Sequence, residues 1–244
     1  MTLAITRPPL PPERRMILRC KQPITAPGVV DVEWAPLIPS LRFSSLYVYS
    51  PRGLGWLAEG SRVMRSRVKA DDQLWLAQFA GDVYRRSLQD RELAELFARG
   101  AALVPVPGSA RTGEGPWIAL RLAVALSEVG FALPTWTGLQ RRYAVIKSAT
   151  AAAAARPTVQ QHYDSFAATL PLTPIPKIVL IDDIVTKGRT LLAAAARLRS
   201  LSVHADIRAF ALIRTLGRAQ HLLHLADPCH GVIRWAGGDA RREP

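Results

Sequence analysis

From Asp71 onward apolar side chains recur at helical spacing, and Leu74, Gln78, Phe79 and Val83 can share one stripe. A second helix is predicted to start at Asp90 and stop at Gly100, because glycine commonly ends helices. Ala101–Val106 then reads as a short buried strand. Pro116–Val129 reads as a helix with proline in its first turn and Gly130 beyond its end. The alternation resumes with a strand at Lys177–Asp182, a helix at Thr190–Ser200 and a strand at Ala205–Arg214. Strands alternating with helices predict right-handed βαβ units, so the expected fold class is α/β with a mostly parallel sheet covered by helices. Ligands of such sheets bind at the carboxyl ends of the strands, which places the candidate site before any motif is read.

Two stretches break the alternation. Residues 1–67 begin with a proline- and arginine-rich segment holding short β-like pieces, Met16–Cys20 and Val29–Trp34. They are expected to form an N-terminal arm or small hood subdomain before an α/β domain at 68–244. Between Gln140 and Phe166 no strand pattern is evident; the segment includes the alanine-rich run Ala149–Ala155, of which Ala151–Ala155 reads as a helix-prone spacer. Loops longer than about 15 residues in an α/β domain are usually functional lids or disordered.

Composition narrows the class. The chain has 244 residues, 49% of them hydrophobic and 21% charged, which suits a globular core. Two cysteines, Cys20 and Cys229, make no disulfide framework and point to a reducing, cytoplasmic setting. No apolar run approaches the roughly 20 residues of a membrane helix, and Arg7, Arg14 and Arg15 stand among prolines without an apolar stretch of signal-peptide length. The charge is less ordinary: 32 basic against 19 acidic residues leave +13, a field that attracts polyanions. Only five of the basic residues are lysines, a bias that a GC-rich genome also produces.

The chemistry concentrates in Ile178–Thr190, I-V-L-I-D-D-I-V-T-K-G-R-T. An apolar strand delivers Asp182 and Asp183 to its carboxyl end, and the chain then turns into a helix. Backbone N–H groups at that helix start, with the hydroxyls of Thr186 and Thr190, would cradle a phosphate. Gly188 lets the backbone approach the anion. The acids suit sugar hydroxyls or Mg2+, which takes a few carboxylates together with phosphate oxygens. The P-loop spacing is absent.

This stretch closely resembles the signature of type I phosphoribosyltransferases, which bind 5-phosphoribosyl-1-diphosphate (PRPP). The resemblance implies that Asp182 and Asp183 hold the ribose hydroxyls as the catalytic acid pair, and that Thr186, Lys187, Gly188, Arg189 and Thr190 hold the 5-phosphate. Upstream, Leu103–Ser109 (L-V-P-V-P-G-S) resembles the pyrophosphate loop of the ComF-like branch. It implies diphosphate contacts from Val106, Pro107, Gly108 and Ser109, with Arg111 nearby. Arg141–Phe166 occupies the place of the family's lid, where Arg142, Lys147, Arg156 and His162 would offer charge, and Tyr143 and Tyr163 would stack on a base.

The likeness covers roughly Leu46–Thr215. It departs from the ComF-like branch in lacking the four-cysteine zinc ribbon, in carrying Gly113-Glu114-Gly115-Pro116-Trp117 in place of an R-G-F-N-like segment, and in having Lys187 where threonine is commoner. The expected activity is transfer of the phosphoribosyl group, with Mg2+ as cofactor, to an unidentified acceptor with release of pyrophosphate. The alternative is a non-catalytic nucleic-acid-binding or regulatory protein reusing the fold. The partners admitted are PRPP or another phosphorylated ribose ligand, nucleic acid, and a second copy in a homodimer; no membrane is expected. His221, His224, Cys229 and His230 offer zinc-type donors at a spacing that fits no zinc pattern, so no resident protein-bound metal is assigned. Trp34, Tyr47, Tyr49 and Trp56 are read as core packing of the N-terminal part, with a base-stacking hood as the alternative.

Overall fold

The computed structural model of the chain describes residues 35–147, 152, 155–169, 173–201, 204–217 and 222–244. The β-like pieces Met16–Cys20 and Val29–Trp34, most of Ala149–Ala155, and His221 lie outside the described residues.

A six-stranded sheet organises the rest, in the order β2 (Ala101–Pro105), β5 (Lys177–Val185), β6 (Asp206–Thr215), β1 (Ser40–Tyr49), β7 (Ala226–Ala236) and β8 (Asp239–Glu243). The first four strands are parallel, and β7 and β8 extend the sheet antiparallel from β1. The fold is therefore α/β with a mostly parallel central sheet flanked by helices. Both faces of β5 are buried, as its near-continuous apolar run requires of a parallel strand. Ile178 and Leu180 pack with Leu191, Leu192 and the buried alanines of α6 (Arg189–Arg199) on one face. Val179 and Ile181 pack on the other with residues of α1 (Trp56–Lys69), α2 (Gln73–Ser87), α3 (Arg91–Leu96) and α4 (Ile118–Leu126). Ala193 to Ala196 are fully buried, and their small side chains let α6 lie close on the sheet.

Several element limits differ from the sequence expectation. The buried stripe of α2 is Leu76, Phe79, Ala80 and Val83, whereas Leu74 and Gln78 face solvent. The start is fixed by Asp72, whose carboxylate accepts from the amides of Leu74 (3.0 Å) and Trp75 (3.4 Å). The second helix is capped by Asp90 but ends at Leu96, before Gly100 (φ +87°). The fourth helix begins at Ile118 and unwinds at Ser127–Phe131 into a wider turn, with Gly130 at φ 138°. The strand carrying the acid pair continues three residues past Asp182 to Val185, because Ile184 and Val185 still pair with Ile213 and Arg214 of β6.

The proposed arm and loop also look different in three dimensions. Of residues 1–67, those described supply β1, which lies between β6 and β7 inside the main sheet, and α1. Tyr47 is buried, but Trp56 is 76% exposed and is not part of the core. The 140–166 stretch is anchored at both ends by a two-stranded ribbon, β3 (Leu139–Arg141) against β4 (Phe166–Ala168). Just before β4 stands α5 (Val159–Ser165), closed by a reciprocal cap in which the Gln161 amide donates to Thr158 Oγ1 (3.1 Å) and the Thr158 amide to Gln161 Oε1 (2.9 Å). No helix among the described residues is long and apolar enough to cross a membrane.

Candidate functional site

The register of the parallel strands sets the site. Pro105 of β2 lies opposite Ile181 of β5, and the Val106 amide donates to the Ile181 carbonyl (2.9 Å). Residues 106–109 therefore leave the sheet beside the acid pair. Asp183 is 8% exposed, and its carboxylate accepts from Lys69 Nζ at the end of α1. The Asp183 amide donates to Asp182 Oδ1 (2.9 Å). Burial, then the neighbouring Asp183 charge, holds the Asp182 carboxyl well above the usual range, while Lys69 pulls the other way. A cation placed beside the pair would favour the ionised form and draw the carboxyl back down.

After β5 the chain turns through Thr186 and Lys187 to Gly188, which caps α6 in a left-handed conformation (φ +87°) and accepts from the Leu192 amide (2.9 Å). A Cβ there would sit 2.6 Å from Ile233 Cδ1 of β7, so glycine is required by conformation and by space. The turn is held from outside by β8. Lys187 Nζ donates to Asp239 Oδ2 (2.9 Å), and Arg189 binds both oxygens of the same carboxylate through Nε (2.5 Å) and Nη2 (2.7 Å). Burial raises the Asp239 pKa, but the hydrogen bonds from Arg189 and Lys187 overcome it and bring the carboxyl down to about 2. Arg242 donates to the carbonyls of Thr186 (2.9 Å) and Thr215 (2.6 Å), and the Thr186 and Thr215 hydroxyls meet at 3.0 Å. The two basic side chains of the turn thus face Asp239, which leaves backbone amides and the hydroxyls of Thr186 and Thr190 as its anion donors.

The 106–109 loop is built on Arg141. Its guanidinium, 2% exposed, donates to the carbonyls of Pro107 (Nη2, 3.3 Å) and Gly108 (Nε) and to Ser165 Oγ, and it lies over the Phe166 ring at 4.3 Å. Trp117 Nε1 donates to the Val106 carbonyl (3.0 Å), and the Val145 amide to that of Ser109 (2.9 Å). Arg111 is exposed and 3.6 Å from Glu114.

The remaining sequence candidates separate. Arg142, Lys147 and Arg156 lie on the exposed part of the 142–158 stretch, and the Arg156 carbonyl accepts from Arg189 Nη1 (3.4 Å). His162 is 4% exposed, and burial followed by the charges of Arg141 and Arg189 pushes it down to about 3. It stays neutral near pH 7 and brings no positive charge to a phosphate, contrary to the expectation from its position in the sequence. Tyr163 is covered by the Arg197 guanidinium at 4.9 Å, while Tyr143 is 50% exposed. His230 bridges Ser44 Oγ (2.9 Å) and Asp90 Oδ2 (3.1 Å). Among the described residues no three metal-ligating side chains converge.

Four residues of this site escaped the sequence reading: Lys69, Arg141, Asp239 and Arg242. Each acts from a distant element, and none stands in a motif; a lone basic or acidic residue gives no local signal. A concavity of about 280 Å³ is lined by Arg42, Ser44, Arg208 and His230 toward the amino ends of β1 and β6. The candidate site is instead an open edge at the other end of the sheet. No family model matches the chain, and no curated protein matches its sequence.

Proposed function

We propose that the protein binds PRPP at the carboxyl edge of β2 and β5 and transfers its phosphoribosyl group to an acceptor, releasing pyrophosphate. The observation that carries this reading is the register between the two strands, which sets loop 106–109 beside Asp182 and Asp183 and the glycine-capped turn into α6. Three groups of different chemistry then share the carboxyl edge of the sheet: two acids for ribose hydroxyls, a helix start for a terminal phosphate, and a second loop for a diphosphate. The acid pair fits Mg2+: Asp182 and Asp183 are adjacent oxygen donors, Lys69 pairs with Asp183, and a bound cation would favour the ionised form of Asp182 against burial. The metal would be held by Asp182 and Asp183 with ligand oxygens completing its shell, and it would supply charge neutralisation to the departing diphosphate. The chain's own part is to orient the ribose between the acids and the helix start, to hold the diphosphate on the 106–109 backbone, and to limit water around C1. Type I phosphoribosyltransferase-like architecture of the ComF-like kind, in nucleotide metabolism, is part of this proposal.

Titration calorimetry with PRPP and Mg2+ tests the binding step, and pyrophosphate release across a panel of bases tests turnover. Heat without turnover would support a sensor that keeps the cradle and not the transfer.

A second reading, nucleic-acid binding by a regulatory protein, is favoured by the +13 balance. It predicts affinity for DNA that falls steeply with salt, because counterion release drives such binding. No binding in a fluorescence titration at about 50 mM salt, where non-specific binders reach the micromolar range, would remove it.

A further inference from the structure

Arg141 is a buried cation without a carboxylate partner. No ion pair among the described residues includes it, and its hydrogen bonds go to the carbonyls of Pro107 and Gly108, the Ser165 hydroxyl and, at 3.5 Å, His162 Nδ1. Burial of the guanidinium brings it down to about 10. Burying a charge without a counter-charge is costly, so this arrangement needs a reason beyond packing.

The reason lies in the peptide planes it grips. The described chain has no cis peptide bond. In a trans peptide the carbonyl and the following N–H point in opposite directions. Because Arg141 draws in the carbonyls of Pro107 and Gly108, the N–H groups of Gly108 and Ser109, which share those planes, point away from it. Neither N–H has an acceptor among the described residues. The space where a Cβ would stand on Gly108 is open for 4 Å, so a ligand can reach the backbone directly. Two successive outward N–H groups form an anion-binding concavity, and a fixed positive charge behind them strengthens it.

We infer that Arg141 is a positioning residue that presents the amides of Gly108 and Ser109 to the diphosphate of the bound ligand. The inference rests on the functional reading above. Arg141 touches no ligand in this role; its hydrogen bonds go to the loop, to Ser165 and to His162. It also explains why one guanidinium joins β3, the 106–109 loop and the end of α5: the fork fixes both carbonyls at once, which a lysine ammonium could not do with the same geometry.

The test separates the two phosphate-binding regions by calorimetry, with inorganic pyrophosphate plus Mg2+ and ribose 5-phosphate as probes of wild type, Arg141→Lys and Arg141→Met. The expected result is a loss of pyrophosphate affinity of about tenfold or more in Arg141→Met, a smaller loss in Arg141→Lys, and a change below about twofold for ribose 5-phosphate in both. Equal pyrophosphate affinity in Arg141→Met, or a parallel loss for both probes in folded protein, overturns the inference and leaves the functional reading standing. Wild type that binds neither probe overturns that reading as well. Should Arg141→Met fail to fold, amide NMR of wild type decides: pyrophosphate must shift the Gly108 and Ser109 resonances. If those amides stay unmoved while pyrophosphate binds, the inference falls.

Discussion

Lys69, the last residue of α1, donates through Nζ to Oδ2 of Asp183 on β5, across 114 positions of sequence. The contact gives the two adjacent acids different roles. Asp183 has an internal counter-charge, whereas Asp182 is left with the cost of burial and of its neighbour's charge.

Asp182→Asn should therefore weaken PRPP binding in the presence of Mg2+ without lowering stability. A carboxyl whose folded pKa is raised gives stability that is complete below its ordinary value of 3.8 and is lost as pH rises through the raised value. Wild type should thus be relatively less stable at neutral pH, and the variant should melt at or above it at about pH 7. The gap should shrink as pH falls toward the ordinary carboxyl range. Thermal melts across pH, with calorimetry on the same samples, check both halves. A variant that melts well below wild type would show that Asp182 serves the core.

His162 has the opposite linkage. Its folded pKa lies far below its ordinary 6.5, so the stability it contributes is present above 6.5 and is lost as pH falls toward about 3. His162→Gln keeps a neutral polar group near Arg141 and Thr190 and removes this titration. Urea titrations from pH 7 to 4 should show wild type losing stability faster than the variant. Parallel curves would mean that His162 is not held neutral by its surroundings.

Gly188→Ala should destabilise the chain by roughly 2–4 kcal/mol, combining left-handed strain with overpacking. The added methyl would meet Ile233 of β7. Affinity for ribose 5-phosphate should fall too, since the turn that starts α6 must shift. Unfolding at constant denaturant slope together with a binding isotherm measures the two effects. A variant as stable as wild type would contradict the conformation at this position.

Hydrogen exchange should divide the 142–165 stretch. The His162 amide is bonded to the Thr158 carbonyl (3.1 Å) and the Arg142 amide to that of Ser165 (2.8 Å), so both should exchange slowly without ligand. Ala144 and Ile146 lie exposed and should exchange quickly. The expected effect of PRPP and Mg2+ is slower exchange at these two positions, with little change in α5. Equal protection throughout in the free protein would make the whole stretch a packed element, with no part left to close over a ligand.

The sequence alone determined the alternation of strands and helices, and with it the α/β class and the edge of the sheet where ligands are expected. Those features depend on local periodicity and on turn residues: apolar runs such as Ile178–Ile181, caps such as Asp90, and the strand–turn–helix passage at Asp182–Thr190. It did not reveal that β1 sits between β6 and β7 in the sheet, because strand order depends on pairings between segments that are far apart in the chain. Nor did it show that β5 runs past the acids, since Ile184 and Val185 remain extended only through their partners on β6. The site divides in the same way. Asp182, Asp183, Gly188 and Gly108 stand in motifs that can be read along the chain, whereas Lys69, Arg141, Asp239 and Arg242 gain their roles only when distant elements pack together. A charged side chain has no meaning in the sequence beyond its charge. Tertiary structure decides whether it meets a carboxylate, as Arg189 does at Asp239, or is buried against backbone carbonyls, as Arg141 is at Pro107 and Gly108.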